Sequence, residues 1–437
     1  MTGLRRTLGL VVTLTSLTAP AWASPPARGG MPDDVKTTFD QGVEMLQRGH
    51  NDEALAAMQK VLAMNPTQEQ AYELWRGTDS RIWRDLLVEG GQFELTAKRL
   101  IELARLGRKA HANDEAAIKP LVVAVVTSGD DVARRKALLA LSADHGEFAV
   151  PSLLPYLGTE NGDEDRRVLA MHALSQMDTD VVSPLMESLA SEDRVLRRNV
   201  VMVLGNIGDP RSAAALLWEA KGDADESVRT AAQQSAVKIG AKGDALMAFL
   251  GLGDSYHHGR SEVLGPRGGG DVVWRFDAGK LVSEPVPQSL YNEEMAIKAY
   301  MMALKADPAS VAALAGLARS WAAEKSQIDA VEKAGGDVSA WKARAAAAQS
   351  IVNSAGVPAL DTALAWSVKS NDSSSGAAVA QTLGDIGTAP TPGLEAALKS
   401  GDGAMASEAA DMVGRYGFRT LKVKGGQGIE RALNALP

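Results

Sequence analysis

Four times between residues 130 and 240 the chain writes an acidic residue, a short gap and an arginine. The four copies are Asp131-Val-Ala-Arg-Arg135, Asp163-Glu-Asp-Arg-Arg167, Asp193-Arg-Val-Leu-Arg-Arg198 and Asp225-Glu-Ser-Val-Arg229. Their last arginines fall at intervals of 32, 31 and 31 residues, and each precedes an apolar run at helical spacing, such as Val200-Val-Met-Val-Leu204. A fixed period of this size marks a solenoid, in which a single unit cannot bury its own apolar face and stacking of neighbours supplies the core. Alanine dominates, aromatics make up only 5% of the chain, and long β-branched alternation is scarce. The expected fold is therefore an all-α, right-handed α-solenoid.

The charge balance narrows the partners. A net charge of −8 argues against nucleic acid, whose phosphates require a basic face, and does nothing for binding anionic lipid. The first residues read as an export signal over 1–23: Arg5 and Arg6, an apolar core from Leu8 to Leu17, and a small-residue cleavage site at Ala21-Trp-Ala23. That apolar run is far shorter than the roughly 20 residues a membrane span needs, so no membrane insertion is expected after signal removal. Paired arginines raise twin-arginine export, but Thr7-Leu8-Gly9 continues that signal weakly and ordinary secretion fits better. The chain has no cysteine, which excludes disulfides, thiolate metal sites and lipid attachment at a signal-peptide cysteine. A periplasmic or extracellular location is expected.

Taken in order, residues 24–32 are a Pro- and Gly-rich disordered linker. Over 33–115 apolar residues recur at helical spacing, and Gly42, Ala54 and Pro66 fall in one register that resembles a tetratricopeptide repeat. The same resemblance returns over 288–352, carried by Ala296, Tyr300, Ala303 and Pro308 and continued by Leu314, Leu317, Ala318 and Trp321. Between them, residues 116–243 hold the Asp/Arg units, each with a first helix of the type Val182-Ser-Pro-Leu-Met-Glu-Ser-Leu189. These are similar to short HEAT-like repeats, the variety also found in phycobilisome lyase proteins, whose period is below the roughly 40 residues of ordinary HEAT units. The tail, 353–437, returns to the HEAT-like pattern, and Leu383-Gly-Asp-Ile-Gly387 echoes Leu204-Gly-Asn-Ile-Gly208. Residues 244–287 interrupt the pattern as a Gly-rich insert, with a β-hairpin in which Val272–Phe276 and Lys280–Ser283 flank Asp277-Ala-Gly279. Ser370–Gly376 reads as a flexible connector.

Candidate sites follow from these features. Arg135, Arg167, Arg198 and Arg229, if stacked, could line a groove for a carboxylate-rich partner. Because the pattern recurs in every unit, it reads first as architecture, each aspartate capping its helix and each arginine pairing with an acid of its own or the neighbouring unit. Trp274 and Phe276 on the hairpin are candidate anchors for a partner. His257-His258 beside Asp254 read as a solvated Gly-rich loop without enough ligands for a metal. The glycine clusters at 265–270 and 425–428 read as linkers, since no Gly-Lys-Ser/Thr follows them. No nucleophile elbow and no His-Glu-x-x-His occurs. The expectation is an exported, non-enzymatic repeat scaffold that binds a protein or peptide and carries no cofactor. The alternative is a small-molecule-binding or lyase-like activity built on the 244–287 insert.

Overall fold

The computed structural model describes residues 33–416, apart from 160–161, 178, 265–271, 334–337 and 388–390. The expected export signal and lead-in over 1–32, both glycine clusters and the end of the tail lie outside the described residues. The chain divides into two compact units, Met1–His111 and Ala112–Pro437.

The first unit is helical: α1 (Asp33–Gln47), α2 (Asn51–Ala63), α3 (Gln68–Gly77), α4 (Ser80–Val88) and α5 (Gly91–Ala112). Helices α1 and α2 approach closely at Gly42, where a Cβ would meet the Met58 methyl at 2.9 Å. Helix α3 begins in a capping box, in which the Thr67 hydroxyl accepts from Gln70 N and the Gln70 side chain accepts from Thr67 N. Phe39, Met58, Leu86 and Leu100 are fully buried at the centre of its core, with Phe39 packed on Trp83 at 5.3 Å between ring centroids.

The second unit is an α-solenoid with one two-stranded sheet. It opens with α6 (Glu115–Thr127), α7 (Asp131–Ala140), the short α8 (Val150–Leu153), α9 (Glu164–Gln176), α10 (Val182–Ser188), α11 (Arg194–Ile207), α12 (Ala213–Gly222) and α13 (Glu226–Lys238). The second helix of each repeat, α7, α9, α11 and α13, starts one residue after an aspartate. Asp130 accepts from Val132 N at 2.8 Å, Asp163 from Arg166 N at 3.2 Å, Asp193 from Val195 N at 2.8 Å and Asp225 from Ser227 N at 2.9 Å. Such caps satisfy helix N–H groups that have no intrahelical acceptor and contribute about 1 kcal/mol each. In the first repeat the cap is Asp130 rather than Asp131, which is the first helical residue and pairs with Arg134 at 2.9 Å. Leu153, Leu157, Leu174, Leu185, Val200 and Leu204 form a continuous core between successive repeats.

The glycine pair of the echoed motif has two separate duties. Gly205 lies where α11 touches α13, and a Cβ there would meet Ser235 Oγ at 2.5 Å. Gly208, at φ +76°, ends α11 in the left-handed conformation that a non-glycine residue adopts at a cost.

Beyond the array come α14 (Ala245–His257), α15 (Ser261–Leu264), the antiparallel strands β1 (Val272–Asp277) and β2 (Lys280–Pro285), α16 (Gln288–Ala306), α17 (Val311–Lys333), α18 (Ser339–Ser370, kinked at Gly356), α19 (Ser373–Ile386), α20 (Pro392–Lys399) and α21 (Gly403–Tyr416). Two expectations are corrected here. Residues 245–257 are not part of a loop: Ala245, Phe249, Gly253 and Tyr256 recur at helical spacing and are buried, which makes this stretch one more packed helix. Nor is 370–376 a flexible connector. It is a tight turn in which Asn371 (φ +55°) closes α18 and Asp372 caps α19. The hairpin is present as read, turning through Ala278 and Gly279, both at positive φ. Both faces of β1 are covered. Val272 and Trp274 enter the core of the array, whereas Val273 enters the core built by α14, α16 and α17.

Candidate functional site

The position of each arginine relative to its capping aspartate decides what it does. Four residues past the cap stand Arg134, Arg167, Arg197 and Arg229, and each guanidinium reaches back to a carbonyl of the loop before its helix. The acceptors are Ser128 O (2.7 Å), Gly158 O (3.4 Å), Ser191 O (2.8 Å) and Asp223 O (2.7 Å). Arg197 also forms a fork with Asp223 of the next repeat, at 2.6 and 3.0 Å. Arg194 pairs with Asp225, again one repeat on, at 3.1 Å. Asp193 divides its two oxygens: one caps α11, and the other accepts from Thr159 N (2.6 Å) and Thr159 Oγ1 (2.9 Å) of the preceding repeat. Burial acts to raise the Asp193 carboxyl, but these hydrogen bonds outweigh it and hold the group below the ordinary range. Behind the Arg197–Asp223 pair, burial first and then its hydrogen bond with Asp223 push Glu219 up to about 8.

Arg135, Arg167, Arg198 and Arg229 therefore do not form one stacked row. Arg167 and Arg229 occupy the loop-bracing position, while Arg135 and Arg198 stand one residue further round the helix. The +5 face holds Arg135, Val168 and Arg198, and the next turn adds Leu139, His172 and Met202. Large apolar side chains are open to solvent along it: Leu139, Val168 and Met202, with Val132 and Val237 on the same stripe. Between α9, α11 and α13 this face forms a groove of about 600 Å³, lined by Arg167, Val168, Met171, Arg198, Met202 and Lys238 among others. Arg198 makes one long hydrogen bond, to Asn199 Oδ1 at 3.5 Å, and its Nε is buried without an acceptor among the described residues. Lys238 donates to Asn206 at 2.7 Å.

The hairpin residues serve a different purpose from the expected one. Trp274 is 2% exposed, packs on Phe148 at 5.6 Å, and donates its indole N–H to Glu147 at 2.5 Å. Lys298 of α16 donates to Trp274 O at 2.5 Å and pairs with Glu187 of α10 at 2.6 Å. Phe276 is half-buried against the same core. Trp274 is thus no exposed anchor but a core residue joining the array to α16.

His257 also departs from the sequence reading. It is buried at the end of α14, with Glu293 on Nδ1 at 2.9 Å and Asp372 on Nε2 at 2.9 Å. Burial alone would lower the imidazole; the hydrogen bonds to Asp372 and Glu293 outweigh it and hold the ring up at about 9. Ser320 Oγ lies 3.3 Å from Nδ1, which brings a Ser, a His and an Asp together. Ser320 is fully buried and both ring nitrogens are engaged by carboxylates, which leaves no free lone pair on the ring to act as a base. Nearby, Arg319 pairs with Asp254 at 2.9 Å and lies 5.6 Å from the Trp366 ring centroid. Burial first, then the neighbouring Glu294 carboxyl, push Glu324 up to about 9. Asp254, Glu293, Arg319 and Asp372 come from four separate segments, and the signal available in sequence is the helical spacing that carries 245–257 inside. Among the described residues no group of three His, Asp or Glu side chains is placed to hold a metal ion, and no helix is long and apolar enough to cross a membrane.

Comparison with known proteins agrees with the repeat architecture. Residues 150–237 match a family model described as HEAT repeats, which covers α8 to α13. Phycocyanobilin lyase subunit beta of Thermosynechococcus vestitus is 33% identical over 112 residues, or 26% of this chain and 52% of that protein. The chain thus spans about half the length of the curated relative it matches. This relative, whose name is that of a lyase subunit, corrects the expectation of a protein without enzymatic activity.

Proposed function

We propose that the HEAT-like array is a binding platform that holds a segment of another protein across α9, α11 and α13. The observation that carries this reading is the groove: Val168 and Met202 are 58% and 41% exposed, on a face where neighbouring helices supply one continuous surface. Exposed apolar side chains gathered on one face, rather than scattered singly, mark interaction sites. The test uses the tagged full-length protein and quantifies what co-purifies with it from its own cells. Val168→Asp with Met202→Asp is expected to remove the partner, and Val123→Asp, on the exposed face of α6, to retain it. Equal recovery with both variants would exclude this face.

We further read the helix pairs α1–α2 and α16–α17 as tetratricopeptide-like, on the close approaches at Gly42 and, against Tyr300, at Gly316, and the protein as exported on the reading of residues 1–23. Mass spectrometry of the protein recovered outside the cytoplasm tests the second point: loss of the first 23 residues is expected, and an intact cytoplasmic chain contradicts it.

A second reading is favoured by the likeness to phycocyanobilin lyase subunit beta. On it, the array serves a lyase-like reaction. Mixing purified protein with phycocyanobilin and recording the absorption spectrum decides the matter: a shifted, saturable spectrum supports this reading, and a spectrum equal to that of the free pigment counts against it.

A further inference from the structure

We propose that the segment held in the groove is acidic, with carboxylates seated on Arg198 and Lys238 and apolar side chains on Val168, Met171 and Met202. This inference rests on the reading of the second-helix face as a binding platform and adds the chemistry of what it binds. The groove carries three permanent cations, Arg167, Arg198 and Lys238, against the single carboxylate of Glu164. That is the reverse of the chain as a whole, at −8.

Adjacent residues show that the arrangement is selective. Arg197 and Arg198 are neighbours in sequence, yet Arg197 is fully engaged by Asp223 and two loop carbonyls, while Arg198 meets no carboxylate among the described residues. Three other arginines of the array pair with acids: Arg134 with Asp131, Arg166 with Asp163 and Arg194 with Asp225. Arg198 is half-buried, lines the groove with Met171 and Met202, and offers a planar fork of donors suited to a carboxylate. Methionine adapts its shape to different apolar side chains, so carboxylates would set the register and the apolar contacts would follow.

The experiment titrates full-length protein into fluorescein-labelled model peptides, one built of Glu and Leu and one of Gln and Leu, and reads fluorescence polarisation. The Glu/Leu peptide is expected to bind at least about tenfold more tightly than the Gln/Leu peptide, with an affinity that falls as salt is raised. Arg198→Ala with Lys238→Ala is expected to lose about tenfold for the Glu/Leu peptide while leaving the Gln/Leu peptide unchanged. Arg198→Gln alone, which preserves side-chain bulk, should move the same way by a smaller factor, and unchanged circular dichroism verifies folding. Equal affinity for the two peptides, no binding of either, or wild-type binding by the double variant would overturn the inference. The broader platform reading fails separately, if the Val168 and Met202 variants described above keep the partner.

Discussion

His257 shares its two ring nitrogens between Glu293 and Asp372, and the pH dependence of stability follows from this and two other buried groups. His257 at about 9, Glu324 at about 9 and Glu219 at about 8 all bind a proton more tightly in the folded chain than their ordinary values of 6.5, 4.5 and 4.5. A raised group contributes its stabilisation fully below the unfolded value and loses it as pH rises through the folded one. Asp372, held down near 2 against burial by hydrogen bonds from His257 and Ser375, acts oppositely and loses its contribution as pH falls towards 2. Stability is therefore expected to be greatest in mild acid and to decline from about pH 5 to about pH 9. Urea midpoints across that range check this, with Glu324→Gln giving a shallower decline. A midpoint that rises with pH over the same range would contradict it. His257→Ala leaves the buried Glu293 and the half-buried Asp372 without their cation, for an expected loss of about 3–5 kcal/mol. None of this is legible in the sequence, because the partners of His257 lie 36 and 115 residues away.

Helices and the hairpin are more fully legible. The period, the capping aspartates and the hairpin turn are all visible, since each is set by residues within a few positions of one another. Less visible is the role of individual arginines. One residue along a helix turns a side chain by about 100°, so Arg197 faces the next repeat while Arg198 faces the groove. The burial of Trp274 is equally hidden, because Phe148 and Glu147 belong to a distant stretch of the array. Trp274→Ala is expected to cost about 3–5 kcal/mol in urea unfolding and to leave partner binding by the folded protein unchanged. The echoed glycines separate in the same way. Gly205→Ala should destabilise by about 1–3 kcal/mol, because Ser235 leaves no room for a Cβ. Gly414 stands in α21 where Met412-Val-Gly-Arg-Tyr416 parallels Val203-Leu-Gly-Asn-Ile207; it meets nothing within 4 Å, and Gly414→Ala should stabilise by up to about 1 kcal/mol. Destabilisation by both changes would mean that the two glycines do the same job.

At the scale of the whole molecule, the net charge of −8 bears on partners in general, whereas the structure reverses its sign locally. Arg197 and Arg194 are engaged by Asp223 and Asp225 where repeats stack, whereas the groove gathers Arg167, Arg198 and Lys238 against the single carboxylate of Glu164. The most direct measurement introduces a photo-crosslinking residue in place of Met202, at the centre of the groove. A second variant carries it in place of Met247, which is exposed on α14 and does not line the groove. Irradiation in the native cell is expected to give a single discrete adduct from position 202 and none from position 247. An adduct from position 247 with none from position 202 would contradict the assignment of the second-helix face as the binding platform.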